Sequence, residues 1–192
     1  MKQRNFIFYA VLCAFFSSNA LANWQLSNEQ SAVYFISTKN QHISEIHQFT
    51  HLSGSLSEKG QLSIEIDLAS VETGIEIRNT RMREKLFLVD KFPKAILSAS
   101  IPENVRQLKV GQSLTVELPV TLQIMNIEKA MTIMAQISLN ADGQFVASSV
   151  KPILLSATDF GLKSGIELLQ KIADLNSIAQ SVPVTFNVVF AK

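Results

Sequence analysis

The feature that most limits what this chain can become is a period of two. Leu62, Ile64, Ile66 and Leu68 alternate with Ser63, Glu65 and Asp67. Leu114, Val116, Leu118, Val120, Leu122 and Ile124 alternate with Thr115, Glu117, Pro119, Thr121 and Gln123. Met131, Ile133, Ala135, Ile137 and Leu139 alternate with Thr132, Met134, Gln136 and Ser138; Val182, Val184, Phe186, Val188 and Phe190 alternate with Pro183, Thr185, Asn187 and Val189. Successive side chains of a strand point to opposite faces, so each segment reads as a strand with one apolar and one more polar side. Weaker strands are predicted over 31–38, 45–57, 94–101 and 144–155. Glu58-Lys59-Gly60 and Ala141-Asp142-Gly143 are turn signals between them. Pro119 has no N–H to give to a ladder, which predicts an edge, a bulge or a non-bonded position there.

Two segments break the alternation. Thr73-Gly74-Ile75-Glu76 has the form of a capping box, Thr at the cap and Glu three residues later, opening a helix to about Leu86. Ser164-Gly165-Ile166-Glu167 is a second; Ile166, Leu169, Ile172 and Ala173 then share a helical face, and Asn176 closes the helix. About eight antiparallel strands with two short helices predict an all-β fold, a closed barrel or a sandwich. An eight-stranded barrel is either filled by its own side chains or holds one small ligand, and composition leaves both open.

The N-terminus reads differently. Lys2 and Arg4 precede an uncharged run from Phe6 to Phe16, and Ala20-Leu21-Ala22 follows. This is the anatomy of a secretory signal peptide over residues 1–22, with a domain over 23–192 and an extracytoplasmic, periplasmic or secreted location. A run of that length is too short to span roughly 30 Å of hydrocarbon as a helix, and no transmembrane segment is expected after cleavage. The only cysteine, Cys13, falls inside the leader behind Leu12, and the apolar run continues past it. A lipidated cysteine is therefore not expected. Without a thiol the domain has no cysteine nucleophile, thiolate metal site or redox switch. Seventeen basic against sixteen acidic residues give no electrostatic footprint for nucleic acid. A hydrophobic content of 47% is too high for disorder.

An ordered set of short motifs resembles the YceI-like family. It comprises Ser70-Val71-Glu72-Thr73-Gly74, Arg78-Asn79, Phe87, Lys91-Phe92-Pro93 and Leu97-Ser98-Ala99-Ser100. Trp24 and Ser31-x-Val33-x-Phe35 fit its start, and Ala157 to Leu162, Leu169, Ser177-Ile178 and Val182 to Phe186 fit one branch of it. The chain departs from the family's pattern at Asn79 (an Asp), at Leu86 (a Phe), at His47 (often a Gly), and at Met125 to Lys129 (a Gly-Val-Thr-Lys-Pro turn). The resemblance implies a single antiparallel eight-stranded, lipocalin-like barrel, exported, holding a long apolar lipid of the polyisoprenoid class. It implies no cofactor.

The residues expected to face the interior are Phe35, Phe49, Leu62, Ile64, Ile66, Leu97, Leu114, Val116, Leu118, Ile133, Ile137, Val184 and Phe186. Arg78, Arg81, Arg83 and Lys85 form a basic cluster. It either meets a phosphate headgroup at the barrel mouth or is a solvated helix face paired with Glu76 and Glu84, the latter being preferred. Arg78, carried by the family motif, is the candidate ligand contact, or else it pins its loop to the barrel. His42, His47 and His51 invite a metal reading. On a strand His47 and His51 are about 13 Å apart at about 3.3 Å per residue, whereas zinc takes nitrogens at about 2 Å, so they are expected at the surface or rim with no metal. No nucleophile elbow or triad spacing is present, and Asp159-Phe160-Gly161 stands without a phosphate-binding loop. The expectation is a lipid-binding protein, not an enzyme. A filled structural or stress-related barrel is the alternative, and a homodimer is left open.

Overall fold

Strand pairing follows the alternation. The computed structural model describes residues 24–192, so the leader expected over residues 1–22, with Cys13, lies outside the described residues. Twelve strands form one sheet: β1 (Trp24–Leu26), β2 (Ala32–Lys39), β3 (Ile43–Phe49), β4 (Leu52–Leu56), β5 (Gln61–Asp67), β6 (Val71–Glu72), β7 (Lys94–Ser100), β8 (Ser113–Ile124), β9 (Ile127–Leu139), β10 (Phe145–Ser149), β11 (Ile153–Ser156) and β12 (Ser181–Ala191). Several are halves of one interrupted strand. β12 pairs with β10 and β11 on one side and with β1 and β2 on the other. β3 and β4 likewise pair with β2 and β1, and β6 and β5 with β3 and β4. Counted as β1/β2, β3/β4, β5/β6, β7, β8, β9, β10/β11 and β12, the sheet is an eight-stranded antiparallel meander closed between its last and first members. Closure pairs the last strand with the first, and only the short β6 and β11 are left paired on one side alone.

The interruptions lie side by side and bend the wall. Asn28, in the turn between β1 and β2, accepts from Leu52 N at 2.6 Å and donates to Thr50 O at 3.1 Å, spanning the break between β3 and β4. Thr50 N donates to Ser70 O, beside the break between β5 and β6, where Asp67 Oδ1 accepts from Ala69 N. Pro152 stands between β10 and β11. Pro119 takes the third predicted option, since pairing of β8 with β7 ends at Val120 and its missing N–H costs that ladder nothing. β8 and β9 meet in a two-residue turn in which Met125 and Asn126 both have positive φ, 50° and 62°, the form that matches the strand twist.

The two predicted helices exist with different starts. The first, α1 (Glu76–Arg81), runs on as a wider π-helical turn, Met82–Phe87. Thr73 does not cap it, because the Thr73 hydroxyl donates to Asn79 Oδ1 at 2.6 Å; Ile75 holds the cap position with no side-chain bond. A third, short helix, α2 (Glu103–Arg106), was not anticipated. The later predicted helix is α3 (Lys163–Ile172), which begins one residue before the expected cap Ser164 and stops short of Asn176, with Asp174 at φ 52°. Its inner face carries Gly165 and Ile166, with Leu169 packed against the core; Ile172, expected on that face, is exposed.

A candidate lipid cavity inside the barrel

The inward parity of the strands and the inner faces of α2, α3 and the π-helical turn enclose one continuous cavity. Its volume is about 230 Å³. Every lining residue is apolar. The lining draws on both core clusters. One is under the helices, with Leu68, Leu86, Phe87, Phe160 and Ile166; the other is at the far end, with Ile101, Val105, Phe145 and Phe190. Nothing polar in that lining fixes a ligand along the barrel axis. Affinity there is set by apolar area removed from water.

Of the expected interior residues, Phe35, Phe49, Leu62, Ile64, Ile66, Leu97, Leu118, Ile133, Ile137, Val184 and Phe186 line the cavity. Leu114 and Val116 do not; they pack against the far-end cluster, beyond the stretch of β8 that reaches the cavity. Sequence reasoning omitted Val120, Leu122, Ala135, Val188 and Phe190, which lie on the same parity as residues it chose. It placed Ile166 on an apolar helical face and quoted Phe87 and Phe160 within the family motifs, but strand alternation could not assign these, Met82 or Leu86 to the cavity, because they come from helices and turns.

Arg78 does not line the cavity. Its Nε donates to Thr73 Oγ1 at 2.9 Å, its Nη2 to Thr73 O at 2.6 Å and its Nη1 to Glu45 Oε2 at 2.8 Å. Asn79, 1% exposed, accepts from Thr73 N as well. Arg78 thus pins the segment before α1 to β3, the second of its two expected roles. Lys39 also bonds Glu45, at 2.8 Å, and these two cations, Lys39 foremost, hold the Glu45 carboxyl below its usual range. Elsewhere in the basic cluster, Arg83 pairs with Glu76 and Lys85 with Glu84, as a solvated helix face would. Such surface pairs contribute little stability.

The histidines need one correction. His42 and His51 are exposed, but His47 is 3% exposed, neither surface nor rim. It stands opposite Phe35 in the β2–β3 ladder, and directly opposed side chains share a face; here it is the face on which Phe35 lines the cavity. Phe49, expected inward, lies two residues along the same strand, so the alternation that turns Phe49 inward turns His47 inward with it. Burial, then the nearby Arg78 charge, lowers the His47 pKa below its usual value. Among the described residues, no three His, Cys, Asp or Glu side chains come together, and no helix is long and apolar enough to cross a membrane.

Comparison with known proteins identifies the architecture. A family profile described as YceI-like domain matches residues 24–190. A solved polyisoprenoid binding domain from Saccharophagus degradans, implicated in plant cell wall breakdown, is similar at 32% identity and TM-score 0.85, over 88% of this chain and 97% of that one. Burkholderia cenocepacia BcnA shares the fold at 16% identity and TM-score 0.67, over 85% and 98%. A Campylobacter jejuni YCEI protein does so at 17% and 0.53, over 74% and 82%. No curated protein matches the sequence. With the profile spanning nearly all the described residues and the barrel closed as described, the chain belongs to the YceI-like domain family.

Proposed function

We propose that this protein is an exported lipid-binding protein that holds a long apolar chain, of the polyisoprenoid class, inside its barrel. The observation that carries this reading is the wholly apolar cavity joining both core clusters. The Saccharophagus domain, whose described role is polyisoprenoid binding, supports the ligand class. Strands of about ten residues tilted roughly 40° make a barrel on the order of 25 Å tall. A twenty-carbon chain buried along its whole length gains about 16 kcal/mol gross at about 0.8 kcal/mol per buried CH₂, of which association and ordering remove several. Export follows from the leader features of residues 1–22 and predicts an N-terminus at Asn23 on the extracytoplasmic protein. Sequencing that end checks it, and Met1 on the exported chain would refute it. The ligand moves through the end covered by α3 and the π-helical turn, which closes by packing of separate helices.

The deciding experiment is solvent extraction of purified protein with mass spectrometry, alongside uptake of a twenty-carbon isoprenoid alcohol by delipidated protein. Stoichiometric lipid in either arm is expected. Absence from both would leave a filled structural barrel. Ile64→Trp separates the same readings, since Ile64 lines the cavity at mid-strand. In a carrier the indole takes the guest's space and uptake falls with the fold intact. In a filled barrel it over-packs and costs about 1–3 kcal/mol.

A further inference from the structure

Three successive inward rungs of the β2–β3 ladder change character in order. Val33 faces Phe49, Phe35 faces His47, and Ser37 faces Glu45. The first rung is apolar and lines the cavity; the third is polar and carries a charge bound by Lys39 and Arg78. His47 stands on the rung between. Its Nε2 is 2.8 Å from Ser37 Oγ, and its ring packs 5.1 Å from that of Phe35. Phe35 in turn stacks on Phe49 at 5.3 Å. The other ring nitrogen, Nδ1, is buried without a hydrogen-bond partner, one of only two such side-chain atoms among the described residues. His47 is not itself among the lining residues, but its ring packs on Phe35, which is; a buried polar atom left unpaired costs free energy, so one a single side chain from the cavity calls for a partner.

We propose that His47 Nδ1 is the hydrogen-bonding contact for the head of the bound chain, and that this head is a neutral hydroxyl. The inference rests on the carrier reading above and deepens it. The Ser37 hydroxyl can donate to Nε2 or accept from it, so Nδ1 can present a proton or a lone pair. A hydroxyl answers either state. A phosphate head needs cationic donors, and the nearest, Arg78 and Lys39, already share Glu45. The ring stays neutral because burial and the Arg78 charge oppose its protonation. The ligand is therefore oriented, with its tail among the strands and its hydroxyl beneath the helix-covered end.

The test uses three probes offered in phosphatidylcholine vesicles to delipidated protein: a twenty-carbon isoprenoid alcohol, the hydrocarbon lacking its hydroxyl, and the alcohol's monophosphate. Wild type should prefer the alcohol over the hydrocarbon by on the order of tenfold, the worth of one well-made buried hydrogen bond. In His47→Phe, which keeps a ring of similar size, that ratio should fall towards one; His47→Gln should retain part of it. In unmutated protein the His47 ring-nitrogen NMR resonance should shift on loading the alcohol and not the hydrocarbon. A ratio that survives His47→Phe, or a silent ring nitrogen, overturns the assignment. So does a preference for the monophosphate that persists in His47→Phe, since that moves the head to Arg78. Uptake of none of the probes by wild type defeats the carrier reading itself, and this inference with it.

Discussion

The two ends of the barrel are closed by different means. At the far end α2 continues directly from β7 and is tied to the wall by hydrogen bonds. Ile101 N donates to Gly60 O at 2.7 Å, Arg106 Nη1 to Glu58 O at 3.0 Å, and Gly111 N to Leu139 O at 2.8 Å. Val105, 2% exposed, plugs the opening. At the other end the cover is assembled from parts distant in sequence. The π-helical turn turns Met82, Leu86 and Phe87 to the cavity, and α3 rests on it through Gly165. A methyl group at Gly165 would stand 2.9 Å from Lys85 O and 3.0 Å from Leu86 Cα, so only glycine permits this approach. A plug bonded to the ladder opens only if strands separate. The cover is tied to the wall only at its flanks, by Arg78 to Glu45 before α1 and by Ala179 N to Thr38 O at 2.8 Å after α3; between these ties α3 meets the π-helical turn by apolar contact, which can loosen while the barrel stays intact, and such locally weak regions are where proteins admit ligands.

The contrast predicts different behaviour for damage at each end. Phe160→Ala removes a large side chain, 2% exposed, from beneath the cover. It should cost about 3–5 kcal/mol in denaturant unfolding and speed lipid release in stopped-flow transfer to vesicles. Gly165→Ala should cost up to about 3 kcal/mol by over-packing α3 against backbone, again with faster release. Val105→Ala, at the hydrogen-bonded end, should cost about 1.5 kcal/mol for the buried carbons lost, with release unchanged. Faster release from the Val105 variant than from the Gly165 variant would reverse the contrast.

The smallest effect expected is a pH dependence near the covered end. The His47 pKa is lowered in the folded state from its ordinary 6.5, so the unfolded chain binds the proton more readily. Stability from this group is complete above about pH 6.5 and declines as pH falls from there towards the lowered folded value. Glu45, also lowered, adds a second decline below its ordinary 4.5 as pH falls through its own folded value. Urea titrations from pH 7.5 to 5 should show the first decline in wild type and its absence in His47→Phe. An identical slope in both would assign it to other groups.

Much of the barrel was legible because its wall obeys a local rule. On β5, β8, β9 and β12 each apolar residue two positions along had to share a face, and that parity chose the cavity wall in advance. Strand interruptions were not legible. The break at Thr50-His51 is held by Asn28, from a different part of the chain. Capping failed for a related reason: Thr73 resembles a helix cap, but a buried Asn79 six residues on competes for its hydroxyl and wins.

What the linear order of residues decided is which faces are apolar, roughly how many strands there are, and that the wall could close, since period two is a property of neighbours along one chain. What closes the ends, where the polar rung falls and whether space remains inside were decided by tertiary structure. Gly165 against Leu86, Arg78 against Glu45 and His47 beside Phe35 each join segments that carry no mutual signal in sequence. The cavity exists because closure brings inward side chains from all around the wall into one space that they leave incompletely filled, a sum no single strand contains.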